Sequence, residues 1–248
     1  MRARRTDRVV LARRWAVAVG LAVLALGAAS ALAGDAGSYQ RAKLKLTNRT
    51  PGKSTGLRLG IDYTNPSDPE AKPPAVRRVV LTLARGARID TAAPEACTAS
   101  DPELMAMGES ACPPGSVVGK GVVTVDTGMP GPERYVTADV AFFNNDHELI
   151  YLNTVRGSEA RTVIRAVVRR RVVVTDAPML PGTPPDGGAI DTVHVHFPAL
   201  SRRVDGVRHS YATTPRSCPA RGFWKNRLEF TYDGDVTQTV TSHSPCEA

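Results

Sequence analysis

Aromatic side chains are scarce in this sequence, with two Trp, six Tyr and five Phe among 248 residues. Carbohydrate-binding modules stack sugars on flat rings, so the shortage weighs against a lectin-like module. Histidine is also rare, at five residues, and there is no H-E-x-x-H zinc signature, no C-x-x-C pair and no papain-like cysteine signature. An extracellular hydrolase would have to assemble in space from residues such as Asp146-His147-Glu148, His209 and His243, which no motif links. No catalytic residue is assigned and no cofactor is expected.

The stretch "CPPGSVVGKG", residues 112–121, imitates a phosphate-binding loop. Such a loop needs G-x-x-x-x-G-K followed by Ser or Thr, set between a strand and a helix. Here the spacer between Gly115 and Gly119 is one residue short, Lys120 is followed by Gly121, and "VVTV" downstream reads as a strand. A nucleotide site is excluded on all three counts. The stretch is expected instead to be a turn that leaves Cys112 and eases into a strand.

The charge balance needs one correction. Residues 1–33 combine six arginines with an uncharged run from Trp15 to Ala33 that ends Ala31-Leu32-Ala33. That pattern predicts a secretory signal peptide cleaved near Ala33, with an uncleaved membrane anchor as the alternative. The leader holds six of the 32 basic and one of the 24 acidic residues, which leaves 26 against 23 and a net charge of only +3. The overall +8 thus gives no argument for nucleic acid, whose binders cluster their basic residues on one face.

An exported chain with four cysteines reads as a disulfide framework. Three pairings are possible, and the sequence-near pairs Cys97–Cys112 and Cys218–Cys246 are expected. In the chain-entropy picture each would contribute about 3 to 3.5 kcal/mol.

Residues 34–248 are rich in strand signals. "AKLKLTN" (42–48) and "GLRLGIDYT" (56–64) alternate apolar with polar residues around Pro51-Gly52. Asn144-Asn145-Asp146-His147 and Asp233-Gly234-Asp235 read as hairpin turns. "RTVIRAVVRRRVVVT" (161–175) is expected to be one long strand, with a bulge near residues 169–171 that returns Arg170 to water. Ser100 and Glu103 make a capping box for one short helix. The sum is an all-β chain of about eleven strands: a β-sandwich, Ig-like or jelly-roll-like, or a partly closed barrel, with one short helix and two disulfides. A single domain over 34–248 is expected, with a possible two-lobe division near 176–189.

His194 and His196 lie at i and i+2 of the strand "IDTVHVHF", so both rings share one face. With a third ligand they would suit zinc or copper. Thr192 shares that face, which a solvated strand surface explains equally well. Arg165, Arg169 and Arg171, with Arg202, Arg203 and Arg208, offer a patch for anionic polymers, although exposed arginines on strands also resist edge-to-edge aggregation.

The blocks Cys97…Ala111-Cys112-Pro113…Ser116…Val118-Gly119…Gly121 and Cys218-Pro219…Gly222…Trp224…Phe230…Tyr232-Asp233-Gly234…Cys246 resemble those of a loose family of exported, β-rich proteins of high-GC actinobacteria. The resemblance implies export and disulfides and brings no activity with it. The function expected is non-catalytic, a binding or structural role in a secreted or cell-envelope protein. Cell-wall polymers, glycans and cell-surface proteins are the partners considered. The alternatives are an extracellular hydrolase, a metal-dependent enzyme using His194 and His196, and a small-ligand carrier with a cavity between sheets.

Overall fold

The computed structural model describes residues 37–184 and 187–247. The expected leader and its cleavage near Ala33 lie outside them. Residues 38–248 make up one compact unit. Its strands are β1 (Gln40–Leu46), β2 (Leu57–Tyr63), β3 (Val76–Thr82), β4 (Arg88–Ile89), β5 (Val117–Asp126), β6 (Tyr135–Asn145), β7 (Glu148–Val155), β8 (Arg161–Arg169), β9 (Val172–Asp176), β10 (Ala189–Phe197), β11 (Ser201–Val204), β12 (Val207–Ser210), β13 (Ala212–Thr213), β14 (Phe223–Tyr232) and β15 (Thr237–Pro245). One helix, α1, covers Asp101–Met107 and starts at the Ser100/Glu103 capping box.

Eleven strands form a single antiparallel sheet in the order β1-β2-β10-β5-β6-β7-β8-β9-β3-β14-β15. The sheet curls until its edges meet. Of the architectures expected, the partly closed barrel is therefore the one realised. An odd number of alternating strands forces the closing pair, β1 and β15, to run the same way. Their backbones do not share a ladder. Instead Ser242 Oγ accepts from Leu44 N at 2.9 Å and donates to Leu44 O at 2.8 Å, and Ser244 Oγ accepts from Leu46 N at 2.9 Å. Near the other end Gln238 Oε1 accepts from Tyr39 N. Serine hydroxyls thus replace the missing ladder, satisfying backbone groups that would be costly to bury unpaired.

Strand parity sets what faces inward. The register joins Leu59 to Leu44 and Val195, Val195 to Gly121, Gly121 to Val140, and Leu81 to Val173 and Leu228. The interior packs as two clusters. One centres on Leu44, Trp224, Leu228, Phe230 and Tyr232, the other on Val140, Phe142, Ala166 and Val168. Leu59, Leu81, Val193 and Phe197 are only partly buried and belong to both.

A third cluster lies on the outer face. Ala141, Phe143, Ile150 and Leu152 are covered by Leu104 of α1 and by the Cys97–Cys112 bridge. This is why "VAFF" and "LIYL" lose their alternation, since strands buried on both faces read as continuous apolar runs. Both expected disulfides are present, and the second, Cys218–Cys246, fastens the chain beside the start of β14 to the end of β15.

One expectation is corrected. The 161–175 stretch is not one bulged strand but the hairpin β8–β9, turning at Arg170 with φ 54°. The two-residue turn reverses the parity, so Val168 and Val173 face inward together while Val172 and Val174 face out.

Candidate functional site

The two interior clusters do not fill the barrel. Between them is a cavity of ≈ 190 Å³, walled by Leu59, Ile61, Leu81, Val123, Phe142 and Val193 among others. Along β2 it is lined from Leu57 to Tyr63, a run of about 20 Å at strand rise. Among the described residues no Asp, Glu, Lys, Arg or His lines it. Its polar groups are few. Tyr151 shares a 2.8 Å hydrogen bond with Thr175, and Asn153 donates to Thr162 O at 3.3 Å. Tyr63 and Tyr211 also line the cavity and are 7% and 5% exposed; among the described residues the buried side-chain polar atom without a partner is Asn144 Oδ1, outside the cavity wall. Burial pushes the Tyr151 phenol up to about 12, against the opposing pull of Thr175, and raises the phenols of Tyr63 and Tyr211 as well. All three stay protonated and able to donate at neutral pH.

The glycines of "VVGKG" have their explanation here. A Cβ at Gly121 would sit 2.4 Å from Val195 Cγ1, and one at Gly119 would sit 2.5 Å from the Phe197 ring. They let two cavity-lining side chains of β10 lie close against β5. Lys120 points the other way and pairs with Glu109 at 2.9 Å. The phosphate-loop lookalike is thus a packing device of the barrel wall.

The two ends of the barrel differ. At the lower end, where β2 finishes, Ala177 and Leu180 line the cavity. Their loop is fastened by Thr183 N donating to Thr127 O, Gly188 N to Leu180 O, and Lys72 Nζ to Gly187 O. At the upper end the cavity reaches Thr55, Pro198, Tyr211 and Ala212. There Ile89 of β4 and Ala212 of β13, paired in a short ladder, both line it.

The residues singled out in the sequence lie elsewhere. His194 and His196 stand on the outer face of β10, opposite Val193 and Val195. His194 Nε2 is 3.8 Å from Asp62 Oδ1, with both side chains more than half exposed. Among the described residues no group of three or more His, Cys, Asp or Glu is placed to hold a metal ion. Asp146 and His147 form an exposed hairpin tip, and Glu148 is engaged by Arg165 and Asn145. His243 lies against the Phe223 ring. Of the arginines, Arg165 pairs with Asp101 and Glu148, and Arg171 donates to Leu83 O. Trp224 is buried and its indole N–H donates to Ser217 O, so it offers no sugar platform.

The stretch Gly52-Lys53-Ser54-Thr55-Gly56 has the G-x-S-x-G spacing of a hydrolase nucleophile elbow, which requires a strand-to-helix turn. Here it joins strands β1 and β2, and the Ser54 hydroxyl donates to Leu200 O rather than to an imidazole.

The cavity itself left little trace in sequence. Its lining is the inward half of alternating strands, which reads like any core. The one signal was the pair of glycines at inward positions of β5. The sequence matches no known protein-family model and no characterised protein.

Proposed function

We propose that the protein is a non-catalytic carrier that holds a small apolar molecule inside its barrel. The observation that carries this reading is the ≈ 190 Å³ cavity, in whose wall no described residue is charged. A dry apolar cavity of about 150 Å³ takes up benzene, so this one suits roughly eight carbon atoms of a ring or chain. An apolar ligand gains by leaving water, whereas an ionised group placed there would lose its hydration without a partner. The oxidised cysteine pairs and the arginine-rich leader support a site of action outside the cytosol. The two cysteine blocks that resemble those of exported actinobacterial proteins support it too.

Calorimetric titration with p-xylene, whose eight carbon atoms match the void, tests the reading. One molecule per protein should bind. Val193→Phe, which fills the void from β10, should abolish the binding heat while leaving the thermal unfolding cooperative. Absence of binding to the unsubstituted protein, or equal binding to the filled variant, refutes the carrier.

A further inference from the structure

The upper end of the barrel concentrates positive charge on three segments. Residues 83–90 hold Arg85 and Arg88 against Asp90, the β8–β9 turn at 169–171 is arginine throughout, and residues 201–216 hold four arginines against Asp205. Backbone contacts fasten the three together. Arg88 pairs with Thr213 in the β4–β13 ladder, Ile89 N donates to Arg170 O, and Asp90 N donates to Tyr211 O. Nine arginines against two aspartates give these segments a charge of +7, counting histidine as neutral. Residues 34–248 as a whole carry only +3, so the rest of them sum to −4. Arg171 is half-buried and donates to Leu83 O, and the other eight are exposed. Among the described residues none of the nine has an ion-pair partner, while eight of the eleven arginines elsewhere in 34–248 do. Among the described residues the ribbon β11–β12 pairs only with itself, and its base is closed by Tyr211 N donating to Leu200 O at 3.0 Å. Within it Arg203 stands directly opposite Arg208, although like charges in facing positions weaken a ladder.

We propose that this end of the barrel docks on an anionic lipid bilayer. Guanidinium groups bind phosphates in forked pairs, and each basic residue near an anionic surface adds about fivefold to partitioning. With no acidic neighbour to satisfy them, the eight exposed arginines keep that capacity. Val207, 59% exposed beside Arg208, adds an apolar group to the same ribbon. The connections at the lower end have the opposite sign, with Asp68 and Glu70 against Lys72 after β2, and Asp233 and Asp235 after β14. An anionic surface therefore attracts one end of the barrel and repels the other, which sets the orientation. The charge asymmetry is independent of the carrier reading, but the choice of a bilayer over a soluble polyanion rests on it. Ile89, Tyr211 and Ala212 belong to the basic segments and also line the apolar cavity. Docking thus turns that end of the cavity toward the hydrocarbon in which an apolar ligand dissolves.

The test mixes the oxidised full chain with vesicles of phosphatidylcholine alone, or of phosphatidylcholine with one third phosphatidylglycerol. The apolar N-terminal run would itself enter vesicles, so the readout is the difference between variants. Arg203→Gln/Arg208→Gln should weaken partition onto the anionic vesicles about 25-fold. Lys45→Gln/Arg58→Gln removes the same charge from exposed, facing positions on β1 and β2, and should cost about twofold or less. Neither double substitution should change binding to the neutral vesicles. Amide exchange in 201–210 should slow on the anionic vesicles alone. Equal losses for the two double variants, or unslowed exchange in the ribbon, refute the docking face. If the ribbon variant loses affinity for inorganic polyphosphate but not for anionic vesicles, the face holds a soluble polyanion and the bilayer is wrong. Binding of p-xylene is read separately: its absence removes the carrier, whereas failure of the vesicle measurements alone removes the docking face and leaves the carrier.

Discussion

Replacing Ser242 by alanine removes one hydroxyl and leaves two backbone groups without partners. Ser242 is 6% exposed and Leu44 is 0% exposed. The hydroxyl accepts from Leu44 N and donates to Leu44 O at 2.9 and 2.8 Å. An orphaned buried polar group costs about 1 to 3 kcal/mol. Two such groups give about 2 to 6 kcal/mol. Small shifts of the edge strands and water reaching the seam bring the expected loss to about 2 to 4 kcal/mol. Urea unfolding with the disulfides intact measures it as a lower midpoint at unchanged slope. Amide exchange at Leu44 should accelerate at the same time, because its only acceptor is gone. Ser242→Thr keeps the hydroxyl and should lose far less. Thr241→Ala, on the exposed face of the same strand, should stay within about 0.5 kcal/mol. A loss below about 0.5 kcal/mol for Ser242→Ala would show that the barrel is not closed through this hydroxyl.

Three further outcomes are expected. The double substitution Cys218→Ala/Cys246→Ala, which opens a staple of sequence separation 28, should cost about 2 to 5 kcal/mol; an unchanged melting temperature would refute a stabilising role. Gly121→Ala drives a Cβ to 2.4 Å from Val195 Cγ1 and 2.5 Å from His194 O, so it should cost about 1 to 3 kcal/mol through overpacking, read from the same urea midpoint. Asp191 has its carboxyl pKa raised above 3.8, first by partial burial and then by the charges of Asp126 and Asp62. Folding therefore disfavours its ionised form, and its destabilising effect grows as pH rises through the folded pKa. Asp191→Asn should raise the melting temperature at pH 7 and give no gain below pH 3.8; a gain that persists in acid would contradict the assignment.

What could be read from the sequence was mostly local. The turns at Pro51-Gly52, Asp146-His147 and Asp233-Gly234, the capping box of α1 and both cysteine pairs depend on neighbours close in the chain. The parity reversal at Arg170 was missed because a non-glycine residue with φ 54° gives no compositional warning. The helix-bearing loop that covers Phe143, Ile150 and Leu152 was signalled by unbroken apolar runs, but such runs do not say what covers them. Choosing between sandwich and barrel was beyond periodicity. Both bury alternate residues, and the choice lies in long-range pairings such as β2 with β10 and β3 with β9.

Closure of the barrel explains why the inward face of β15 is polar apart from Val240, which packs against the interior cluster. Gln238, Ser242 and Ser244 occupy positions where a simple amphipathic strand would carry apolar residues, and Asn226 on β14 donates to Ser244 Oγ at 2.9 Å. A strand of this kind looks like an exposed edge in sequence. In the barrel it is the eleventh strand, forced parallel to the first, and short hydroxyl side chains bridge a gap that backbone groups leave open. The polarity of β15 is therefore a consequence of the odd strand count. Closure in turn gives the interior a continuous wall, without which the cavity between Leu59, Leu81 and Val193 would be an open groove. Serine chemistry at one seam and glycine spacing at Gly119 and Gly121 are two local solutions that together shape a barrel interior in which no described residue lining the cavity is charged.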